Sequence, residues 1–138
     1  MIVLDASFAF TLHLNSPPAA SAARFLAESG AAASAAPDLI LAEVANAAWK
    51  TTRIGAITAQ EGMTILASVA SMFTRLVPAV ALAPRAYEIA IELEHPVYDC
   101  IYLALAERES AALVTFDRRL EAAVRNTKWA ALVRCLDK

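Results

Sequence analysis

Several features are scarce in this chain of 138 residues, and each scarcity excludes a class of protein. Only 3 residues are glycine while 59% are hydrophobic, which excludes a disordered or low-complexity chain. No uncharged apolar run approaches the roughly 18–20 residues that span a bilayer, so we expect no membrane segment. The first residues, MIVLDAS, lack the basic region that begins a secretory signal, and they predict a strand instead.

Cysteine and histidine are also scarce, which argues against several kinds of catalytic or metal centre. Cys100 and Cys135 lie in apolar contexts without metal-ligand spacing, so we predict buried free thiols and a cytoplasmic protein. His13 and His95 are isolated in the sequence, and we expect them in core or loop positions rather than around zinc. Neither a Ser/His/Asp arrangement nor the glycine-rich phosphate loop of nucleotide-binding proteins is present.

Positive charge is not in excess, because the chain has 12 Lys and Arg residues but 14 Asp and Glu residues, and its formal net charge is −2. A surface covered in positive charge for non-specific binding to nucleic acid is therefore not expected. A nucleic acid substrate is still compatible with this balance, since a metal ion or a local group of arginines can supply positive charge. The overall charge thus leaves the substrate class open.

Short apolar runs alternate with longer helical patterns along the chain, which predicts strands that alternate with helices. The predicted strands cover residues 2–5, 31–38, 77–82, 112–116 and, as a fifth candidate, 131–136. The predicted helices begin at Ser7 and then cover residues 19–29, 39–54, 59–76, 85–94, 97–110 and 117–126. Such a chain forms an α/β domain with a mainly parallel sheet of four to five strands. We predict one domain over residues 1–138.

Residues that cap or break helices set these boundaries. The predicted caps are Asp38 and Thr58 as N-caps, the latter in a capping box with Glu61, and Gly30 as a C-terminal stop. Pro84 is predicted to begin a helix, and Pro78 to confine the third strand to an edge or loop.

Four carboxylates stand next to apolar segments, where an unpaired buried charge is costly. Asp5 follows the first strand, Asp117 follows the fourth, Asp99 lies in the first turn of a helix that is apolar nearly all round, and Glu43 lies within another apolar helix. Taken singly, each has an ordinary alternative, since Asp caps helices or begins turns and Glu forms helices well.

Taken together, the four carboxylates predict a divalent metal site. The carboxyl ends of parallel strands meet at one edge of the sheet, where ligands bind in open α/β folds. Carboxylates that meet at one point raise one another's pKa unless a cation lies between them. Oxygen ligands suit Mg²⁺, with Mn²⁺ as a second choice. Because such ions promote attack of water at phosphorus, we predict metal-dependent hydrolysis of phosphodiesters.

The segments that carry these carboxylates resemble the PIN-domain family, and in particular the VapC-type toxins of bacterial toxin–antitoxin pairs. They are IVLDAS, LILAEVANAAWK, HPVYDCIYLALAE and LVTFDRRL, and their order and spacing match across essentially the whole chain. The resemblance implies a three-layer α/β/α sandwich around a mainly parallel sheet. It also implies Asp5, Glu43, Asp99 and Asp117 as the catalytic set that binds Mg²⁺.

The resemblance further implies accessory residues and partners. Ser7 and Thr115 match polar positions that often accompany the acidic residues of this family, with local turn bonding as their alternative. Such toxins are ribonucleases, are held inactive by an antitoxin protein, and typically form homodimers. RNA, a cognate antitoxin and a second copy of the chain are therefore the expected partners. Cys100 departs from the small residue frequent at its position, but its similar size makes this a minor difference.

Two other functions stay open at this stage. A PIN-like binding module would use the same groove to contact a partner without catalysis. A metal-dependent phosphatase of the haloacid-dehalogenase type also begins with a strand and an Asp, but it needs a second Asp where this chain has Ser7. Arg118 and Arg119, beside Asp117, are candidate contacts for RNA phosphate, with a solvated helix face as the alternative.

Overall fold

The computed structural model describes residues 1–30 and 33–137, and its strands and helices alternate along most of the chain. The strands are β1 (Ile2–Leu4), β2 (Ser34–Pro37), β3 (Arg75–Val77), β4 (Ala112–Thr115) and β5 (Val133–Cys135). The helices are α1 (Ala6–Leu12), α2 (Pro17–Ser29), α3 (Leu39–Arg53), α4 (Ala59–Met72), α5 (Ala79–Leu93), α6 (Val97–Glu109) and α7 (Arg118–Val124). A short 3₁₀ helix, Ala130–Leu132, precedes β5.

The five strands form one parallel sheet in the order β3-β2-β1-β4-β5, so β1 lies at its centre. Val3 of β1 pairs with Ala35 on one side and with Leu113 on the other. Short apolar runs form the central strands because helices cover both faces of a parallel sheet. The predicted α/β fold with a mainly parallel sheet of four to five strands is confirmed. Since β1 and β4 are neighbours, their carboxyl ends lie side by side.

Successive residues of the central strands point to opposite faces of the sheet and enter two different apolar cores. Val3 and Leu113 belong to a large core that includes buried side chains of α5 and α6. Leu4 and Val114 belong to a second core with Phe8 of α1 and with α2. Helices on both faces give the three-layer arrangement that the resemblance implied.

The helix α6 is buried along most of its length. Every residue from Cys100 to Ala106 is buried, and α6 packs against β1, β2 and β4. A helix that is apolar on all sides needs apolar neighbours on all sides, so the prediction of a buried helix is confirmed. Because the helix is packed in this way, Asp99 in its first turn has a fixed position relative to the sheet.

The third strand lies earlier in the chain than the sequence predicted. The prediction of a strand over residues 77–82 is wrong, because β3 ends before Pro78 and α5 starts directly after it. Pro84 does not begin this helix but lies within it. Val80, whose carbonyl loses the hydrogen bond that proline cannot donate, is 80% exposed, so water can occupy that place.

Other boundaries differ by less. The helix α4 ends at Met72 rather than at residue 76, because the residues that follow enter β3. The helix α2 begins at Pro17, since proline is well accommodated in a first turn. Asp38 occupies the N-cap of α3 as predicted, but its side chain accepts the Ala79 N–H at 2.9 Å and so caps the start of α5. Residues 31 and 32 of the predicted second strand lie outside the described residues.

Both cysteines are free thiols. Cys100 is buried as predicted, and burial raises the pKa of its thiol to about 11. Cys135 is only half-buried. Across the described ranges, no helix has both the length and the apolar character needed to cross a membrane.

Candidate active site

Asp5 follows β1 directly and begins α1. Its Oδ1 accepts hydrogen bonds from the Phe8 N–H at 3.0 Å and from Ser7 Oγ at 2.7 Å, and its Oδ2 accepts one from Thr115 Oγ1. The bond from Phe8 is the helix cap that the sequence offered as the ordinary alternative. Burial raises the pKa of Asp5 to about 6, although these hydrogen bonds act to lower it. Three hydrogen bonds thus fix the orientation of the carboxylate, but its ionised form is poorly solvated.

Ser7 and Thr115 connect Asp5 to the end of β4. Their hydroxyl oxygens lie 3.2 Å apart. Ser7 Oγ accepts the Phe116 N–H at 3.0 Å, and Thr115 Oγ1 accepts the Asp117 N–H at 2.8 Å. Both residues that the resemblance named as accessories therefore contact the segments that carry Asp5 and Asp117, across the junction of β1 and β4.

Glu43 lies in the second turn of α3 and meets α6 through a tyrosine. Its Oε1 accepts a hydrogen bond from the Tyr102 hydroxyl at 2.6 Å. Burial of Tyr102, together with the neighbouring Glu43 carboxylate, raises the pKa of the phenol far above its ordinary value, so the phenol stays protonated and donates. Burial also raises the pKa of Glu43, and the bond from Tyr102 acts in the opposite direction.

Asp99 lies in the first turn of α6 and contacts a histidine. Its Oδ2 is 2.7 Å from His95 Nε2. The side chains of His95 and Asp99 are 14% and 32% exposed, so the pair is partly shielded from water. His95 lies in the loop between α5 and α6, as expected, but it is not isolated, because its ring contacts Asp99. Residues four apart at the start of a helix are neighbours, and that spacing brings the ring onto the carboxylate.

Asp117 occupies the N-cap of α7, and its side chain follows the ordinary alternative. Its Oδ1 accepts the Arg119 N–H at 2.8 Å, as a capping Asp does. Its backbone N–H reaches Asp5 only through Thr115. Arg118, the next residue, forms an exposed ion pair with Asp137.

Electrostatic effects connect three of the four predicted carboxylates. Asp99 raises the pKa of Asp5, and both Asp5 and Asp99 raise the pKa of Glu43. Asp117 is not among the groups that change either pKa. Within residues 1–30 and 33–137, no three His, Cys, Asp or Glu side chains are arranged as a ready metal-binding group. The structure thus brings Asp5, Glu43 and Asp99 together and leaves Asp117 at the margin.

The donors that meet here fit a hard divalent cation. All of them are oxygen atoms, and no Lys or Arg is among the groups that change the pKa of Asp5 or Glu43. Asp99 Oδ2 and Glu43 Oε1 each take part in a hydrogen bond. In the described part of the chain, Asp99 Oδ1 and Glu43 Oε2 have no hydrogen-bond partner. Each side chain is thereby held by one oxygen, and the other is available to a metal ion or to a water molecule; oxygen donors of this kind suit Mg²⁺ or Mn²⁺.

Two open surfaces lie near these elements. A depression of about 390 Å³ beside Asp117 is lined by Ser7, Phe116, Asp117, Arg118 and Arg119. A larger cleft of about 640 Å³ lies between the end of α1 and the α3–α4 pair, and none of the four predicted carboxylates lines it. The effects of Asp99 on the pKa of Asp5 and of Glu43, rather than the size of a cavity, therefore locate the candidate site.

Two residues of the site were missed by the sequence reasoning. Tyr102, three residues after Asp99, binds Glu43, and His95, four residues before Asp99, binds Asp99 itself. Positions three and four apart share one face of a helix, so helical spacing counted from Asp99 in both directions was the available signal.

Comparisons with known proteins identify the family of this domain. A family model described as "PIN domain" matches residues 2–126. Ribonuclease VapC12 of Mycobacterium tuberculosis is 36% identical over 120 residues, which cover 87% of this chain and 89% of that protein. Ribonuclease VapC3 of Pyrobaculum aerophilum is 36% identical over 85 residues, which cover 60% of this chain and 65% of that protein.

Solved structures show the same fold. The crystal structure of PAE2754 from Pyrobaculum aerophilum matches with a TM-score of 0.69 and 28% identity, over 96% of this chain and 81% of that one. The crystal structure of Mycobacterium tuberculosis VapC20, named as a toxin that cleaves the sarcin–ricin loop, matches with a TM-score of 0.68 over 89% of this chain and 95% of that one. At 19% identity, this second likeness concerns the fold alone.

Proposed function

The chain belongs to the PIN-domain family, and on that premise we propose that it is a metal-dependent endoribonuclease of the VapC toxin type, formed by a single nuclease domain. The 36% identity to a ribonuclease over 87% of the chain supports RNA as the substrate. One observation carries the metal dependence. Asp99 raises the pKa of Asp5, both Asp5 and Asp99 raise the pKa of Glu43, and no basic side chain is among the groups that act on Asp5 or Glu43.

The proposed cofactor is Mg²⁺, with Mn²⁺ as a substitute. Asp5, Asp99 and Asp117 would hold the ion, directly or through water, with Asp117 at the margin of the site, and Glu43 would complete the set. A bound Mg²⁺ supplies Lewis-acid stabilisation of the negative charge that develops on the phosphate during hydrolysis.

The side chains of this chain do the remaining work. Tyr102 holds Oε1 of Glu43, so Oε2 is directed to the attacking water and accepts its proton. The raised pKa of Glu43 makes it a better proton acceptor than an ordinary surface glutamate. The water oxygen forms a bond to phosphorus while the bond to the leaving ribose oxygen breaks, and that oxygen takes a proton from solvent. Arg119 borders the depression beside Asp117 and is the proposed contact for phosphate.

Cleavage of RNA by the purified chain, freed of any bound protein, tests the proposal. We expect cleavage with Mg²⁺ or Mn²⁺ and none with EDTA. Asp5→Asn and Asp99→Asn should each lower the rate by about 100-fold or more, since metal-ion catalysis supplies several kcal/mol. Glu92→Gln is the matched control, because this residue is exposed and its ion pair with Lys128 is a long surface contact of 3.8 Å.

The outcomes separate the two remaining functions. Equal cleavage by wild type, Asp5→Asn and Asp99→Asn would show that another site, or a contaminating nuclease, is responsible. An intact fold that binds RNA with no metal-dependent cleavage would favour the binding module. Ser7, which donates to Asp5, occupies the position at which a phosphatase of the haloacid-dehalogenase type needs an acid, so that alternative receives no support.

A cognate antitoxin is the proposed regulatory partner, and the cytoplasm the proposed location. The names of the ribonuclease relatives support this, and a small neighbouring gene for a DNA-binding protein would strengthen it. Copurification of that protein with the chain, and recovery of nuclease activity after its removal, provide the test.

A homodimer is the proposed assembly, and α5 offers a surface for it. Val80, Tyr87 and Ile91 are each more than half exposed, and their spacing places them on one face of α5. Light scattering of the wild type should give twice the mass of the chain, and Tyr87→Glu should lower it toward one. Equal masses for both proteins would show that this face is not the interface.

A further inference from the structure

His95 and Asp99 form the closest contact between a histidine and an acid in the site, at 2.7 Å from Nε2 to Oδ2. An ionised carboxylate only accepts hydrogen bonds, so Nε2 carries the hydrogen and donates it. This bond occupies one oxygen of Asp99 and fixes the rotation of the carboxylate about its Cβ–Cγ bond. The other oxygen, Oδ1, is then directed by the same bond.

The backbone around His95 is held independently of this contact. The His95 N–H donates to the Ala90 carbonyl at 3.3 Å, and the His95 carbonyl accepts the Cys100 thiol at 3.8 Å. Pro96 follows with a fixed φ of −53°. The imidazole therefore reaches Asp99 from an anchored position and does not depend on the carboxylate for its own placement.

The turn before His95 also carries backbone strain. Glu94 ends α5 in the left-handed conformation, with φ of 53° and ψ of 47°. That conformation is unfavourable for a non-glycine residue, and strained residues cluster at functional sites. The chain turns at Glu94, and this turn places His95 next to the first turn of α6.

The bond has an ordinary interpretation as a local staple at the start of α6. Any pair of side chains that joins these two positions would stabilise the start of α6 equally well. Here, however, the acid of the pair is Asp99, which also raises the pKa of Asp5 and Glu43. Ligating carboxylates are typically hydrogen-bonded to a further group that orients them. We propose that His95 is a positioning residue, which fixes Asp99 so that its Oδ1 faces the divalent cation. This inference rests on the proposed function.

Mn²⁺ binding to the purified chain tests it without any measurement of cleavage. The free ion is quantified by its EPR signal while wild type, His95→Phe and His95→Gln are titrated. Phenylalanine keeps the ring volume but donates nothing, so we expect its Kd for Mn²⁺ to rise about 10–100-fold. Glutamine places an amide N–H near the position of Nε2, so we expect its Kd to stay near that of the wild type.

His13→Phe is the matched control, because His13 contacts the Ala9 carbonyl at the far end of α1 and should leave the Kd unchanged. Cleavage adds a second readout. His95→Phe should cut slowly at limiting Mn²⁺ and recover in excess Mn²⁺, which loss of folded protein would not do. If His95→Phe does not fold, His95→Asn replaces it, because its shorter amide fits the space but does not reach Asp99.

The outcomes separate this inference from the proposed function. A wild type that binds Mn²⁺ with a Kd that His95→Phe leaves unchanged would overturn the role of His95 alone. A wild type that binds no Mn²⁺ would overturn the metal site, and this inference with it. Equal weakening by the Gln and Phe variants would reduce the contact to a structural staple.

Discussion

Asp5→Asn removes the charge at the centre of the candidate site while it keeps the shape of the side chain. The new amide oxygen can accept the bonds that Phe8 and Ser7 donate to Oδ1 of Asp5, and its N–H group can donate to Thr115 Oγ1. The substitution therefore isolates the free energy of ionising this one carboxyl. We expect it to abolish cleavage and, without metal, to stabilise the fold.

The expected gain in stability follows from the pKa of Asp5, which burial raises from 3.8 to about 6. A folded-state pKa above the unfolded one means that ionisation favours unfolding. The contribution of Asp5 to the free energy of unfolding is therefore complete below the unfolded pKa, and it is lost as the pH rises through about 6. The full loss is about 3 kcal/mol, of which about 2 kcal/mol falls between about pH 4.5 and pH 7.5.

Urea unfolding in EDTA at those two pH values measures this loss. The stability of Asp5→Asn relative to wild type should increase by about 2 kcal/mol from the lower pH to the higher. Glu92→Gln, an exposed control, should show no such increase. Addition of Mg²⁺ or Mn²⁺ should then stabilise the wild type but not Asp5→Asn. A difference between the two proteins that does not change with pH would refute the reasoning from burial, and equal stabilisation by metal would refute the role of Asp5 as a ligand.

Three further predictions concern a hydrogen bond of the site, two glycines and the core. Tyr102→Phe should destabilise the fold by about 1–3 kcal/mol at neutral pH, measured by urea unfolding, because Glu43 loses a donor to a half-buried charge. Gly62→Ala, within α4, should raise the free energy of unfolding by about 1 kcal/mol, since a Cβ there meets its nearest neighbour at an ordinary contact distance of 3.7 Å. Gly55→Ala should lower the free energy of unfolding, because the φ of Gly55 is 80°. Ile89→Ala should lower it by about 2–5 kcal/mol, because this side chain is fully buried.

Each of these predictions has its own control. Met63→Ala, in α4 and 62% exposed, should change the stability by less than about 0.5 kcal/mol. If Tyr102→Phe lost as much stability in acid, where Glu43 is protonated, as at neutral pH, the hydrogen bond to the charged form would not be the cause. If Gly62→Ala were destabilising, the space around α4 would be tighter than 3.7 Å implies.

The amino-acid sequence by itself determined the local features of this protein. The alternation of apolar strands with helices, the capping box at Thr58, the burial of α6 and the positions of four carboxylates all follow from residues within one element. The order of four short motifs along the chain indicated the protein family. Each of these features depends on backbone propensity, side-chain period or chemistry over a few residues, which is why they are visible before folding.

Only the tertiary structure decided how these features meet. Thr115 binds Asp5 across 110 positions, Tyr102 binds Glu43 across 59, and Asp38 caps a helix 41 residues away instead of its own. The third strand was misplaced because β3 pairs with β2, a contact between distant segments that no local run of residues specifies. Contacts between distant residues depend on which surfaces are buried together, and that is a property of the whole fold.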